Sequence, residues 1–423
     1  MNQRRTFLQK LGLGLFLPAM SEVSHYSAGF QFPKSNLSTS NYWNQLREAF
    51  PLSQNRVYFN NGTFGPAPYP VLKKLEEINL SVSSTGEYGN SDNERAALAS
   101  FLNVEKEELS LTHNTTEGIN IMAWGLPLVA GDEVILTTHD HAGNALPWLN
   151  RAKLHGIVLK TFSPKNTLEE NLDLIKSLCG PKTKVIAIPH ITCTTGLVFP
   201  IPEISEFARS RGIFTAIDGA HGAGTFDLDL KQLGCDFYAG CFHKWLLGPS
   251  GTGFLYVKKE KLEELQAIQI GGYSDLGWDV ISIPPKLNGY VNTAHRFDYG
   301  TQSKALFSGA KAAADFHQSI GKAKVEQRIR QLSDLLIEGL GHLEEKVEIL
   351  TPKEPASRIS MVTFRSNQVN SEELNTLINQ AGFRVRLIHE AKLNAIRVST
   401  HIYNSEEEIE NLVSFLTDAL KRF

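Results

Sequence analysis

Lys244 follows a histidine in the stretch 239–256, AGCFHKWLLGPSGTGFLY, where a glycine-rich turn separates the His-Lys pair from an apolar run. An amine becomes a nucleophile only when its proton is removed, and partial desolvation beside a cationic or hydrogen-bonding neighbour eases that loss. Lys244 can therefore hold a carbonyl cofactor as a Schiff base. His243 is either the neighbour that assists it or a donor to a phosphate. A His-Lys pair standing alone is more often a solvated lysine before a turn, so the rest of the chain must decide.

The elements that would position this lysine follow from the pattern around it. Runs of β-branched and apolar residues predict strands at 109–112, 133–137, 184–189, 213–217 and 237–240. Helical segments such as 117–124, 144–155 and 201–211 separate the first four. Strands alternating with helices imply an α/β fold with a mainly parallel sheet covered on both faces, and in such sheets ligands bind beyond the carboxyl ends of the strands. Directly after the five strands come His113-Asn114-Thr115-Thr116, His139-Asp140-His141, His190-Ile191-Thr192, Asp218-Gly219-Ala220-His221 and Cys241-Phe242-His243-Lys244. One histidine at such a place is more often structural than catalytic. Five groups together imply one shared site.

Pyridoxal phosphate is the cofactor whose needs match this set. Its aldehyde requires a lysine, its ring nitrogen an acid that keeps it protonated, its ring a flat partner and its phosphate several donors. Lys244 meets the first need and Asp218 the second, because a buried carboxylate stabilises a pyridinium through a charge-assisted hydrogen bond. His141 can stack on the ring. Thr115 and Thr116 open a helix whose free N–H groups and positive dipole end suit a phosphate, and His243 can add a donor.

The motifs TTEGIN, DHAGNALPW, HITCTTG, DGAHGAG, FHKW and RVSTHIYN, in this order, resemble those of the class V, fold-type I pyridoxal phosphate-dependent aminotransferase family. The likeness is to its isopenicillin N epimerase-like branch, related to the cysteine desulfurases, and it extends from residue 60 to the end. It implies a large, mainly parallel-sheet domain and a smaller α+β domain. It also implies Lys244 as the Schiff-base lysine, Asp218 on the pyridine nitrogen, His221 near the ring hydroxyl, His141 stacking, and Thr116 and His243 on the phosphate. In relatives the pair matching Gly300 and Thr301 reaches the phosphate of the neighbouring subunit, which implies a homodimer with shared active sites. A substrate carboxylate calls for the planar fork of an arginine. By resemblance Arg397 is that residue, with Arg386 a second candidate or a surface ion-pair partner. Asn61, in the turn NNGTFGPAP, joins them as a substrate-binding candidate.

Two departures bear on the reaction. Desulfurases of this family carry a nucleophilic cysteine near the position of Ala391, whereas this chain has no cysteine after Cys241. Cys193 stands where they have an asparagine beside the cofactor, either as a small buried residue or as a thiol close to the substrate. Cys241 is expected to pack near the phosphate. The expectation is an enzyme acting on an amino acid or amino-acid-like substrate, of aminotransferase or epimerase type, with a carbon–sulfur or other β-lyase as the alternative. No G-x-S-x-G elbow or G-x-G-x-x-G after a strand supports a hydrolase or an oxidoreductase.

Composition agrees with small-molecule chemistry. A chain of 423 residues with 42% hydrophobic and 21% charged residues is globular and long enough for two domains. A formal net charge of −3, without a basic run beyond the amino terminus, gives no electrostatic reason to expect nucleic acid. Cys179, Cys193, Cys235 and Cys241 lack the CxxC spacing of a zinc site and the density of a disulfide scaffold, and no metal is expected. The start, MNQRRTFLQKLGLGLFLPAM, resembles a twin-arginine export signal built on Arg4 and Arg5, its apolar stretch too short to span a bilayer comfortably. An uncleaved anchor and an ordinary amphipathic helix are the alternatives. The expected location is periplasmic or exported, with a cytoplasmic one as the other possibility.

The expected organisation is a signal and linker over 1–40, a large cofactor-binding domain over 60–295, and a small domain from 41–59 and 296–423. A long helical region at 304–346 leads into small-domain strands at 358–364, 383–387 and 395–399 and helices at 371–381 and 405–423. The KKEKLEEL run at 258–265 reads as a solvated helix.

Overall fold

In the computed structural model, which describes residue 30, residues 32–34 and residues 38–423, the apolar runs pair as their alternation with helices requires. The twin-arginine stretch lies outside the described residues. Seven strands form one sheet: β1 (Leu109–Thr112), β2 (Glu133–Thr137), β3 (Val158–Phe162), β4 (Thr183–Ile186), β5 (Phe214–Asp218), β6 (Phe237–Cys241) and β7 (Gly253–Val257). Their spatial order is β1-β7-β6-β5-β4-β2-β3, and only β7 runs against its neighbours. The reversal follows from the connection 242–252, which is shorter than the crossover of a dozen or more residues that a parallel return demands. That short connection carries Lys244.

Helices cover both faces: α1 (Thr39–Arg47), α2 (Tyr69–Thr85), α3 (Asp92–Phe101), α4 (Thr115–Gly125), α5 (Ala142–His155), α6 (Leu168–Leu178), α7 (Ile201–Ser210) and α8 (Lys304–Ile320) surround the sheet or its edges. Alternate residues of a strand face opposite ways, and the two cores show it. Val134 and Leu136 of β2 join Ile119 and Met122 of α4 and Trp148 of α5. Ile135 between them joins Phe101 of α3, Ile175 of α6 and Ile204 of α7 on the other face.

A second sheet holds β8 (Val347–Ile349), β9 (Met361–Ser366), β10 (Arg386–Ile388) and β11 (Ala395–Ser399) in the order β8-β9-β11-β10, all antiparallel. It packs through Val362, Ile396 and Val398 on α9 (Lys322–Gly341), α10 (Ser371–Gln380) and α11 (Glu406–Ala419), which supply Leu332, Leu336, Leu374 and Leu412. The segment before α2 returns here, because Val57–Tyr58 pairs in parallel with Phe383–Arg384. A further apolar cluster joins Tyr42 and Trp43 of α1, Trp245, Phe316, Ile402 and Tyr403. It ties the connection that carries Lys244 to the amino- and carboxy-terminal parts of the chain. No helix among the described residues is long and apolar enough to cross a membrane.

Several elements differ from expectation. The helical region at 304–346 breaks at Gly321, whose φ of +97° suits glycine and separates α8 from α9. The run at 258–265 forms only a 3₁₀ segment, Lys259–Glu264. The strand expected at 383–387 is two strands, the first on Val57–Tyr58 and the second on β11.

Candidate active site

The carboxyl ends of β1, β2, β5 and β6 open onto one cavity of about 290 Å³. Its wall brings together Thr115, Thr116, His141, Asp218, His221, His243, Lys244 and Arg386, joined by Gly62, Thr63 and Cys193. Asn61, Arg397, Gly300 and Thr301 are not part of that wall.

One end of the cavity gathers groups suited to an anion. Asn114 caps α4 by accepting a hydrogen bond from the Glu117 N–H at 2.9 Å, which leaves the first turn at Thr115 and Thr116 facing the cavity. Thr115 Oγ1 and His243 Nδ1 are buried and make no well-formed hydrogen bond among the described residues, with the Cys241 thiol close to both. A buried polar group left unpaired costs about 1–3 kcal/mol, so two so poorly satisfied call for a group that brings acceptors. The first turn of α5 reaches Thr116 only as glycine, since a Cβ on Gly143 would stand 2.6 Å from Thr116 Oγ1. A phosphate fits these donors and this helix end.

Asp218 ends β5, and its Oδ1 accepts the Ala220 N–H at 2.9 Å. Burial pushes the carboxyl upward, opposed by that bond and by the charges of Lys244 and His141. A cationic ring nitrogen is the kind of partner that would hold such a carboxylate ionised. Lys244 Nζ lies 3.4 Å from His221 Nε2, while His221 Nδ1 accepts the indole N–H of Trp245 at 3.0 Å. Burial, followed by the Lys244 charge, holds the His221 imidazole well below its usual range, so the ring is neutral. His141 caps α5 by accepting the Gly143 N–H at Nδ1 (3.0 Å), and desolvation lowers its pKa as well.

Beside it, Asp140 is buried, with Oδ2 accepting from Thr137 N–H at 2.8 Å and Oδ1 from Asn144 Nδ2 at 3.0 Å. Burial nevertheless raises its pKa to about 8. A carboxyl raised on folding binds its proton more tightly in the folded state, so stability is lost as pH rises from the ordinary carboxylate range to about 8. Asp140→Asn is expected to flatten that part of the pH–stability curve, measured as urea midpoints between pH 4 and 8. An unaltered slope would place the titration elsewhere.

Arg397, on β11, is fully buried. Nη1 donates to the Cys193 carbonyl at 2.6 Å and Nη2 to Thr63 Oγ1 at 3.1 Å, while among the described residues Nε has no partner and no carboxylate is within salt-bridge distance. Desolvation, followed by the nearby Arg386 charge, lowers its pKa to about 9. It stands directly behind Thr63 and Cys193, which line the cavity. A Cβ on Gly62 would meet Arg397 Nη2 at 3.0 Å and Ser399 Oγ at 2.9 Å, so the turn passes over the guanidinium only as glycine. Arg386 does line the cavity, paired with Glu390 four residues on.

Two expectations change, those for Asn61 and His190. The fully buried Asn61 donates from Nδ2 to the Lys244 carbonyl at 3.4 Å and accepts the Tyr403 hydroxyl at 3.0 Å. Its side chain holds the lysine's backbone, and the place at the cavity wall belongs to Gly62 and Thr63. Gly300 and Thr301 are exposed outside the cavity of their own chain, with Gly300 at φ +71°. Of the five strand-end groups, His190 turns inward, its Nδ1 3.0 Å from the Tyr238 hydroxyl and its ring stacked on Phe226. Cys193 and Cys241 are both buried at the cavity, as free thiols. Among the described residues no cluster of three or more His, Cys, Asp or Glu could hold a metal.

A large sheet with a single reversed strand, a small antiparallel sheet, and a lysine and a buried acid converging at the strand ends define a fold-type I pyridoxal phosphate transferase fold. Residues 77–412 match the family model described as aminotransferase class-V, and the chain belongs to that family. A probable cysteine desulfurase of Xylella fastidiosa (strain 9a5c) is 31% identical over 421 residues, covering 90% of this chain and 97% of that protein. Isopenicillin N epimerase of Amycolatopsis lactamdurans is 29% identical, covering 90% of this chain and 99% of that one. Among solved structures, the complex of the cystine C–S lyase C-DES with its reaction product cysteine persulfide superposes with a TM-score of 0.80 at 28% identity, covering 87% of this chain and 99% of the other.

Proposed function

We propose that the protein is a pyridoxal phosphate-dependent enzyme acting on an amino acid or amino-acid-like substrate through Lys244, with aminotransferase or epimerase chemistry. The observation that carries this reading is Arg397, a buried guanidinium with no carboxylate partner among the described residues, behind the wall of a cavity that holds Lys244 and Asp218. When bound, pyridoxal phosphate supplies an electrophilic carbonyl carbon for an amine and a protonated ring that withdraws electrons from the α-carbon.

The side chains divide the remaining work. Lys244 Nζ would hold the cofactor's carbonyl carbon, and as a free amine it would be the base and acid that moves the substrate's α-proton. Asp218 keeps the ring nitrogen protonated. His141 offers a flat face, and His221 Nε2 points to the side of the site where Lys244 lies. Thr115, Thr116 and His243 hold the phosphate through donors that are otherwise poorly paired or free at the helix start. Arg397 holds the substrate carboxylate. Gly300 and Thr301, exposed on their own chain, are available to the phosphate of a neighbouring subunit in a homodimer.

A β-lyase reading is favoured by the likeness to the cystine C–S lyase. A desulfurase that passes sulfur to a protein thiol is not, because Ala391 occupies the tip of the loop between β10 and β11 and no cysteine follows Cys241.

The test is to mix the holoenzyme with a panel of L- and D-amino acids in heavy water, recording the cofactor spectrum and α-proton exchange. Exchange with at least one amino acid is expected. Exchange without keto acid marks epimerisation, keto acid with aminated cofactor marks transfer, and pyruvate with a released sulfur group marks the lyase. A protein with no absorbance band near the visible edge after pyridoxal phosphate addition, and no exchange, would overturn the proposal.

A further inference from the structure

The histidine that faces Lys244 has its proton assigned by a tryptophan next in sequence to the lysine. His221 is buried and held neutral, so it carries a single N–H. An indole nitrogen donates and cannot accept, and Trp245 Nε1 lies 3.0 Å from His221 Nδ1. Nδ1 is therefore the bare nitrogen and Nε2 carries the hydrogen, aimed at Lys244 Nζ 3.4 Å away. An ammonium has three donors and no acceptor, so an N–H facing it is unfavourable, whereas an uncharged amine offers its lone pair.

The indole cannot turn away from this task. Trp245 is completely buried, and its ring stacks on His401 at 5.7 Å. His401 Nδ1 accepts the Ile402 N–H at 2.8 Å, which leaves Nε2–H to donate to the Trp245 carbonyl at 2.9 Å. One residue earlier, the Lys244 carbonyl is held by Asn61, itself held by Tyr403. Residues following β11 thus clamp the backbone on which both Lys244 and Trp245 stand.

We propose that Trp245 is a positioning residue that fixes His221 as the Nε2–H tautomer, so that His221 turns a donor toward Lys244 Nζ and offers it no acceptor that would hold it as an ammonium. The proposal rests on the reading of Lys244 as the reacting amine.

It is tested on the full-length protein labelled with ¹⁵N-histidine, both as purified and after hydroxylamine treatment and dialysis. The His221 signals, assigned by their loss in His221→Asn, are expected to show a bare Nδ1 and a protonated Nε2. In Trp245→Phe, and with benzothienylalanine in place of Trp245, which keeps the ring shape but replaces the N–H with sulfur, the two nitrogens should exchange character. Reductive methylation of Lys244 by formaldehyde and cyanoborohydride at pH 8, read by mass spectrometry of its peptide, should slow at least fivefold in both. The isosteric replacement keeps the test decisive if the phenylalanine variant fails to fold. A protonated Nδ1 in the wild type, or an unchanged tautomer and methylation rate in a folded variant, would overturn the proposal. None of these readouts needs turnover, so a silent amino-acid panel would count against the proposed reaction and leave this result readable.

Discussion

Lys244→Ala protein, mixed with pyridoxal phosphate and then borohydride, is expected to carry no reduced cofactor on its 239–256 peptide. Turnover of whichever amino acid the wild type accepts should fall by on the order of 10⁴-fold, the upper end of what a positioned acid–base group contributes. The expectation is strong because one side chain serves both as attachment point and as proton carrier. The fold should survive, since among the described residues the only hydrogen-bond contact of Nζ is the long one to His221, while the lysine's backbone is gripped independently by Asn61. Borohydride trapping and steady-state rates, set beside a thermal melt, check this. Cofactor trapped on another lysine, or a rate within tenfold of wild type, would remove Lys244 from the centre of the site.

The second large effect is at Arg397. In Arg397→Met the substrate carboxylate loses its buried cationic partner, and truncating one member of such a pair costs about 2–5 kcal/mol. The KM for the amino acid should therefore rise roughly 30- to 4000-fold, at about 1.4 kcal/mol per tenfold. The same change should leave the ligand-free protein as stable as before, or more so. Arg397 has its pKa lowered to about 9, so below that pH its buried charge works against folding, and the penalty fades as pH rises from about 9 towards the ordinary guanidinium value. Replacing a buried ion with an apolar side chain of similar length is often neutral or stabilising, although here the Cys193 carbonyl and the Thr63 hydroxyl lose their donor. Loss of binding without loss of melting temperature would separate a substrate contact from a structural one. A KM unchanged in the variant would shift the role to Arg386, which lines the cavity.

The parts of the molecule legible in the sequence are those whose signal is local. β1, β2, β5 and β6 read as strands because each is a short apolar run closed by polar groups, and the same groups mark the cavity. β3 escaped notice because it is an edge strand, with Lys160 and Thr161 breaking its apolar pattern and exposed or half-buried positions over most of its length. β7 was visible as an apolar run, but its reversed direction depends on the length of the connection before it. The strand at 383–387 divides because Val57–Tyr58 comes in from more than three hundred residues earlier, a partner that no window around Phe383 contains.

The site shows the same division. Lys244, Asp218 and His141 stand at strand or helix ends and are named by position. Asn61, Trp245, His401 and Tyr403 act by holding one another across the fold, and local spacing does not record a hydrogen bond between residues 61 and 403. A usable hint was present, since Trp245 adjoins the lysine and HIYN follows Arg397 in the chain. Gly62 could have been suspected from the turn NNGTFG, but its reason, the guanidinium beneath it, is visible only in three dimensions.

The place of β1 at the sheet's edge has a consequence for the order of assembly. Its sole neighbour in the sheet is β7, which ends at Val257, and β1 leads directly into α4 and the phosphate-facing threonines. A chain emerging from the ribosome at about 5–20 residues per second makes β1 early but cannot seat it until nearly 150 later residues have followed. Until then the donors at Thr115 and Thr116 have no fixed relation to Lys244. Nascent chains stalled before β7 should therefore fail to retain pyridoxal phosphate, however much of the parallel sheet they have built.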